Sequence, residues 1–356
     1  MMQVLLGITK RCNCNCGFCV VRDRKQLHEA TELTTQEFKA AIDQVRELYD
    51  PDNTIVVFIG GEPLVRKDCA ELVQYAHAAG YRTHLDTNGT LMTEETVKTL
   101  KDVGLNGVSI TLDTDVAEEY DRIKKMKGGY ERARNGLRFC VDSGLHSVMA
   151  TRFTKKSIRS GSLDRLIRFA IKTGVDRVAL FEPIVEIEQD QAEADGSTGD
   201  IPKIGLELEP DDMVALRRVL APYDHLQDGK MPAYKFLHFE NRYQYDEASG
   251  QYVGYCQCFR KSQFSISWFG DIMPCIGNVV SFGDMREKPL KQILDFMWNH
   301  DDFQFDGGNA FELVNTKHGI KALPGCYAKS ENDLLRRVAA LSDQYRRTDC
   351  FPKRLA

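Results

Sequence analysis

Four cysteines fall within eight positions near the start of the chain, at Cys12, Cys14, Cys16 and Cys19. Closely spaced thiols can bind a zinc ion, pair as disulfides or hold an iron–sulfur cluster, and these outcomes exclude one another. The first, third and fourth follow the spacing C-x3-C-x2-C, which leaves Cys14 outside the set. Three thiolates leave one metal position open for a substrate, whereas a structural zinc site needs a fourth ligand and usually shows paired spacings. The spacing therefore favours a cluster.

Glycine-rich or polar segments follow the next β-branched runs along the chain. The candidate residues are Gly60, Gly61, Glu62 and Pro63 after the second run, Asn88 after the third, Ser109, Thr111 and Asp113 along the fourth, and Arg152 on the fifth. Paired glycines let the backbone approach a ligand closely, and alternate strand residues share one face. The alternatives are plainer: Asn88-Gly89 is a good turn by itself, and Arg152 could be a surface charge.

A second set of cysteines lies far along the sequence. Its members are Cys256, Cys258, Cys275 and Cys326, and four thiolates suit a zinc ion as well as an iron–sulfur cluster. Cys350 lies in a polar tail and is left unassigned. Cys69 and Cys140 instead fall on the apolar faces of predicted helices, where a free cysteine is a good small core residue.

The elements that must position these residues alternate between strands and helices. Six strands are predicted, at Val4–Ile8, Thr54–Ile59, Arg82–Asp86, Gly107–Asp113, Ser147–Phe153 and Asp176–Glu182. The clearest helix opens with a capping box at Thr34 and Glu37. Six strand–helix repeats predict a parallel sheet, curled into a full or partial barrel, with its chemistry at the carboxyl ends of the strands. The acidic segment 183–210 is predicted to be a solvated connection or a lid.

The cysteine loop, with Phe18 before its last cysteine, and the later GGEP segment resemble the signature of the radical S-adenosylmethionine (SAM) superfamily. The resemblance implies an α/β fold with a partial (β/α)6 TIM-like barrel, and a [4Fe–4S] cluster on Cys12, Cys16 and Cys19. It also implies that Gly61 and Glu62 hold the SAM amino group. The candidate residues of the later strands, Asn88, Ser109, Thr111 and Asp113, would face the cofactor, and Arg152 would reach its carboxylate.

The spacing of Cys258 and Cys275 around Gly270 resembles the SPASM/twitch extension of that superfamily. The resemblance implies a small α+β cysteine-rich domain with one auxiliary [4Fe–4S] cluster, since two clusters would need more thiolates. Cys258, Cys275 and Cys326 are the expected ligands, with Cys256 or an open position as the fourth. Residues 1–225 are expected to form the barrel, and 226–356 the auxiliary domain with a C-terminal helix.

The resemblance implies reductive cleavage of SAM and hydrogen-atom abstraction from a small metabolite or short peptide, giving oxidation, epimerisation or bond formation. The electron donor would be a flavodoxin or ferredoxin. The alternatives are a molybdenum-cofactor-type nucleotide cyclisation and a non-enzymatic iron–sulfur or zinc redox sensor. The 356 residues carry a net charge of −5, which argues against a nucleic-acid-binding surface. No apolar run is long enough to span a membrane and no signal peptide is evident, so a cytoplasmic protein is expected.

Overall fold

The computed structural model describes residues 1–16, 19, 32–181, 210–226, 237–239, 244–246, 251–253, 261–274, 280–299, 315–316, 319–320 and 346–347. The auxiliary cysteines Cys256, Cys258, Cys275 and Cys326, together with Cys350 and most of the acidic segment 183–210, lie outside these residues.

All six strands predicted for the first half are present and parallel. They are β1 (Met2–Thr9), β2 (Thr54–Gly60), β3 (Arg82–Thr87), β4 (Gly107–Thr111), β5 (His146–Arg152) and β6 (Arg177–Phe181). The helices that follow them are α1 (Thr35–Leu48), α2 (Cys69–Ala78), α3 (Glu94–Asp102), α4 (Ala117–Lys124), α5 (Gly129–Asp142), α6 (Lys155–Arg159), α7 (Ser162–Thr173) and α8 (Pro210–Leu220). The parallel sheet and the strand–helix repeat confirm the predicted barrel type.

The sheet is longer than the sequence predicted. Six short strands follow: β7 (Leu237–Phe239), β8 (Gln244–Asp246), β9 (Gln251–Val253), β10 (Gln263–Ile266), β11 (Ile272–Met273) and β12 (Val280–Ser281). Helix α9 (Leu290–Asn299) comes next, and then the strands β13 (Asn315–Thr316), β14 (Gly319–Ile320) and β15 (Arg346–Arg347). The main sheet has nine strands in the order β11-β10-β1-β2-β3-β4-β5-β6-β7. Strands from beyond residue 226 thus pair with β1 and β6, and the predicted domain boundary stays a prediction.

The core lies between the sheet and its helices. Alternate residues of β1, Val4, Leu6 and Ile8, are fully buried against this core. Helix α1 begins with the predicted capping box, in which the side chains of Thr34 and Glu37 each accept from the other's backbone N–H. The predicted core role of two cysteines is confirmed: Cys69 and Cys140 are buried, and burial raises the pKa of each thiol to about 12.

Candidate radical chemistry site

The cysteine loop leaves the carboxyl end of β1, which is where a parallel sheet places its chemistry. Cys12 and Cys19 are half-buried, while Cys14 and Cys16 are buried. The sulfur of Cys12 accepts from the backbone N–H of Cys14 at 3.3 Å and from the side-chain amide of Asn88 at 3.8 Å. Hydrogen bonds of this kind support a cluster-bound thiolate, so the donor set fits the predicted group.

Within the described parts of the chain, no three His, Cys, Asp or Glu side chains lie close enough together to hold a single metal ion. Cys12, Cys16 and Cys19 stay the predicted thiolate ligands of a cluster with several irons, in which each thiolate would bind a different iron. Cys14 and Cys16 are both buried, so burial does not distinguish them, and the place of Cys14 outside the ligand set stays a prediction.

The paired glycines after β2 allow a close approach of two backbones. Gly61 N–H donates to the carbonyl oxygen of Thr9 at 2.8 Å. A Cβ on Gly60 would lie 2.2 Å from that same oxygen, and one on Gly61 would lie 2.4 Å from the carbonyl oxygen of Arg11. Gly60 also has a φ of +151°, which side chains rarely adopt. These glycines therefore hold the start of the cysteine loop, a role the sequence did not predict.

Glu62 is fully buried and joins the ends of β2 and β3. Its carboxylate accepts from the Thr87 hydroxyl at 2.7 Å, from Asn88 N–H at 2.8 Å and from Leu64 N–H at 3.2 Å. Burial raises the pKa of Glu62 to about 7, against the effect of these hydrogen bonds. Pro63 is buried and begins a 3-10 turn, Pro63–Val65. The prediction that Glu62 holds the SAM amino group is untested; its observed contacts fix the neighbouring segment.

Asn88 connects the end of β3 to the cysteine loop. Its side-chain amide donates to the side-chain oxygen of Asn13 at 2.8 Å, and its own side-chain oxygen accepts from the Thr90 hydroxyl at 2.6 Å. Asn13 in turn donates to Thr90 at 2.9 Å. The three side chains close a small polar network beside Cys12, so the TNG segment is more than a turn.

Ser109 and Thr111 lie on β4, on the face opposite the helices. The Ser109 hydroxyl lies 2.7 Å from Nε2 of His84 on β3, and that nitrogen lies 3.5 Å from the Asp86 carboxylate. Burial lowers the pKa of His84 to about 3, so the imidazole is neutral at pH 7. His84 and Ser109 lie within their strands, before the carboxyl ends at which the cysteine loop lies. The sequence did not indicate a role for His84. Thr111 uses its carbonyl oxygen to accept from the Tyr120 hydroxyl at 3.2 Å.

Asp113 and Arg152 are brought together with a lysine that sequence analysis did not select. The Lys124 ammonium lies 2.9 Å from the Asp113 carboxylate, and the two side chains are only 5% and 7% exposed. Arg152 lies 3.5 Å from the same carboxylate and also donates its backbone N–H to it at 3.1 Å. Burial opposes ionisation of Asp113, but the two cations outweigh it and lower the pKa of Asp113 to about 2. Lys124 also accepts from Asn15 N–H through its carbonyl oxygen at 3.0 Å, which ties this cluster to the cysteine loop.

The carboxyl ends of β1, β2 and β3 thus bring Cys12, Gly60, Gly61, Glu62 and Asn88 together, while Asp113 and Arg152 meet at the ends of β4 and β5. Two buried residues of this region, Glu32 and Lys124, were missed because nothing in their local sequence separates them from surface charges. Glu32 is 4% exposed, and its carboxylate binds both Thr9 and Lys10.

A cysteine loop at the carboxyl end of β1, in contact with the GGEP and TNG segments, is the arrangement predicted for one class of enzyme, and comparison with known proteins agrees. Residues 6–155 match the family model of the Radical SAM superfamily, and residues 256–318 match that of SPASM, an iron-sulfur cluster-binding domain. The chain belongs to the radical SAM superfamily and carries a C-terminal SPASM domain. Its cofactors are accordingly SAM, a SAM-binding [4Fe–4S] cluster and auxiliary iron–sulfur binding in the SPASM domain.

Two curated relatives are from Methanosarcina barkeri. The chain is 37% identical over 156 residues to the Fe-coproporphyrin III synthase, a match that covers 44% of this chain and spans only 38% of the relative. It is 27% identical over 294 residues to the AdoMet-dependent heme synthase, covering 80% of each. Among solved structures, Streptococcus suis SuiB bound to its precursor peptide SuiA has a TM-score of 0.63 at 20% identity, covering 93% of this chain and 73% of SuiB. That likeness shows the fold. None of the described helices has the length and apolar character to cross a membrane.

Proposed function

We propose that this protein reductively cleaves SAM and abstracts a hydrogen atom from a small metabolite or short peptide. When bound, the reduced cluster and SAM supply a 5′-deoxyadenosyl radical. The observation that carries the proposal is the meeting of the cysteine loop with the GGEP and TNG segments. Asn88 donates to the sulfur of Cys12 at 3.8 Å, and Gly61 donates to Thr9 at 2.8 Å at the start of the same loop.

The residues of the chain divide into ligands and supports. Cys12, Cys16 and Cys19 would hold three irons of the cluster. Gly61 and Glu62 would hold the SAM amino group, and the buried hydrogen bonds of Glu62 fix that segment. The Arg152 guanidinium, 26% exposed and paired with Asp113, would contact the SAM carboxylate.

For the substrate class, a small metabolite of porphyrin type is the first candidate. The reason is that the likeness to the AdoMet-dependent heme synthase extends over 80% of both chains at 27% identity. A short peptide is the second candidate, on the fold shared with SuiB, which was crystallised with a precursor peptide. Because the SPASM domain offers few thiolates, we expect one auxiliary cluster on Cys256, Cys258, Cys275 and Cys326, and a flavodoxin or ferredoxin as electron donor.

The test is anaerobic reconstitution with iron and sulfide, followed by SAM and dithionite. We expect 5′-deoxyadenosine from the wild-type protein and none from the Cys12/Cys16/Cys19→Ala variant. Addition of Fe-coproporphyrin III should raise the yield if the porphyrin class is right. A fully loaded protein that forms no 5′-deoxyadenosine, with or without candidate substrates, would refute the proposed reaction.

The same triple variant tests the auxiliary cluster. We expect about four irons per chain to remain after its purification, since a [4Fe–4S] cluster on the SPASM cysteines does not use the mutated thiols. Zinc in place of iron, found by elemental analysis, would contradict this assignment.

A further inference from the structure

The part of the chain that matches the SPASM domain lies directly against the strand that carries the cysteine loop. Strand β10 pairs in parallel with β1, from Gln3 opposite Gln263 to Leu6 opposite Ile266. The chain then enters a tight turn over Ser267–Asp271, which is closed by a hydrogen bond of 2.9 Å from Ser267 N–H to the Asp271 carbonyl oxygen. Because the two strands are parallel, this turn lies at the same end of the sheet as the start of the cysteine loop.

The turn contacts the chain where it returns from the cysteine segment. Leu33 N–H donates to the carbonyl oxygen of Trp268 at 2.7 Å, and Trp268 is 1% exposed. Arg286, from the segment after β12, donates to the carbonyl oxygens of Phe269 at 3.3 Å and Glu32 at 3.5 Å. Its guanidinium also pairs with Glu37 at 2.6 Å. Both ends of this contact set, residues 268 and 286, lie inside the matched SPASM region.

Glu32 extends these contacts across the base of the cysteine segment. Its buried carboxylate accepts from the Thr9 hydroxyl at 2.7 Å and from Lys10 N–H at 2.7 Å. Glu32 therefore connects the two regions. Its backbone carbonyl accepts from Arg286 of the SPASM region, and its side chain accepts from Thr9 and Lys10 at the start of the loop. Lys10 is two positions from Cys12, so a shift of Glu32 moves the backbone that leads into the first predicted ligand.

A separate tie closes the same base without the SPASM region. Arg66 donates one nitrogen to the carbonyl oxygens of both Ile8 and Leu33, each at 2.8 Å, while its other donors pair with Asp68. Two sets of contacts thus hold the base of the segment: those of Arg66 within the barrel, and those of Trp268 and Arg286 from the SPASM region. A change in the C-terminal part can remove the SPASM contacts and leave those of Arg66 in place.

We propose that Trp268, Arg286 and Glu32 form a clamp by which the SPASM domain positions the radical SAM cysteine loop. In this clamp Glu32 and Arg286 are positioning residues that act on the cluster through Thr9 and Lys10. The clamp then supports retention of the SAM-binding cluster in particular, because its contacts fix the backbone that leads into Cys12. The inference needs the two clusters but not the proposed reaction.

The test measures iron release to a chelator from the anaerobically loaded full-length protein. The variants are Arg286→Gln and Glu32→Ala, with the conservative Arg286→Lys and Glu32→Gln beside them. Glutamine keeps one oxygen that can accept from both Thr9 and Lys10. The matched control is Lys291→Gln, which breaks a surface pair with Asp295 at 2.5 Å that lies outside the clamp.

The two clusters are told apart by electron paramagnetic resonance of the reduced protein, because SAM perturbs only the cluster with an open iron. We expect Arg286→Gln, which removes a part-exposed charged contact, to release the SAM-sensitive cluster about three- to fivefold faster. Glu32→Ala should release it at least as fast, because the Glu32 carboxylate is buried. The SAM-insensitive signal, the two conservative variants and Lys291→Gln should stay near wild type.

Unchanged release in both Arg286→Gln and Glu32→Ala would overturn the clamp. Equal acceleration of both clusters would also overturn it, because that result describes general destabilisation. If the protein loads both clusters and yet forms no 5′-deoxyadenosine, the proposed function is refuted. The clamp can still be tested, because iron release does not depend on SAM cleavage.

Discussion

Replacing Lys124 by methionine should destabilise the barrel strongly, because it leaves a buried carboxylate without its main partner. Lys124 and Asp113 lie 2.9 Å apart, with side chains 5% and 7% exposed. Removing one member of a buried ion pair costs about 3–5 kcal/mol. Arg152 stays 3.5 Å from the Asp113 carboxylate. We therefore expect the lower end of that range, about 3 kcal/mol.

The assay is chemical and thermal unfolding of the protein under anaerobic conditions, with Lys125→Met as the control. Lys125 is the next residue, is exposed, and has a left-handed φ of 50° that methionine tolerates as lysine does. The control should change the free energy of unfolding by less than about 0.5 kcal/mol. Lys124→Met should lower the midpoint by roughly 6–12 °C, at about 2–4 °C per kcal/mol for a domain of this size.

A double-mutant cycle with Asp113→Asn tests the physical cause. The combined variant should cost clearly less than the sum of the two single changes, since each removes the same interaction. Strict additivity, or equal small shifts for Lys124→Met and Lys125→Met, would refute the account of a buried pair.

Three further outcomes are expected. Gly61→Ala should prevent cluster loading, seen as lost iron, because its Cβ would meet the loop backbone at 2.4 Å; Gly128→Ala, with open space around it, should load normally and cost only about 1 kcal/mol. The pKa of Asp113 is lowered to about 2, so its stabilisation is complete above its unfolded pKa near 4 and is lost as the pH falls through 2. The free energy of unfolding, measured at successive pH values, should fall over that range by on the order of 2 kcal/mol less in Asp113→Asn than in wild type. Cys14→Ala should bind as much iron as wild type, whereas Cys16→Ala should lose the SAM-sensitive signal. Loss of that signal in Cys14→Ala but not in Cys16→Ala would show that Cys14 is the ligand.

Local patterns were enough to find the strands and the start of α1. Alternation and β-branched residues located every end of the six strands to within two residues, and the side chains of Thr34 and Glu37 form the predicted capping box. Such features depend on neighbours two to four positions apart, which a sequence displays directly. The pairing of β10 with β1 was not predicted, because it joins residues 260 positions apart along the chain.

The sequence by itself determined which residue types could hold the cofactors: the spacing of Cys12, Cys16 and Cys19, and the glycines and carboxylate of the GGEP segment. Only the tertiary structure decided what supports them. It turned Gly60 and Gly61 toward the cysteine loop and occupied Glu62 with three internal donors. It also selected Lys124 and Glu32 from among 99 charged residues by burying them, and burial is a property of the packed chain. A motif records the groups that touch a ligand, whereas the groups that hold the motif in place are set by long-range packing and leave no local signal.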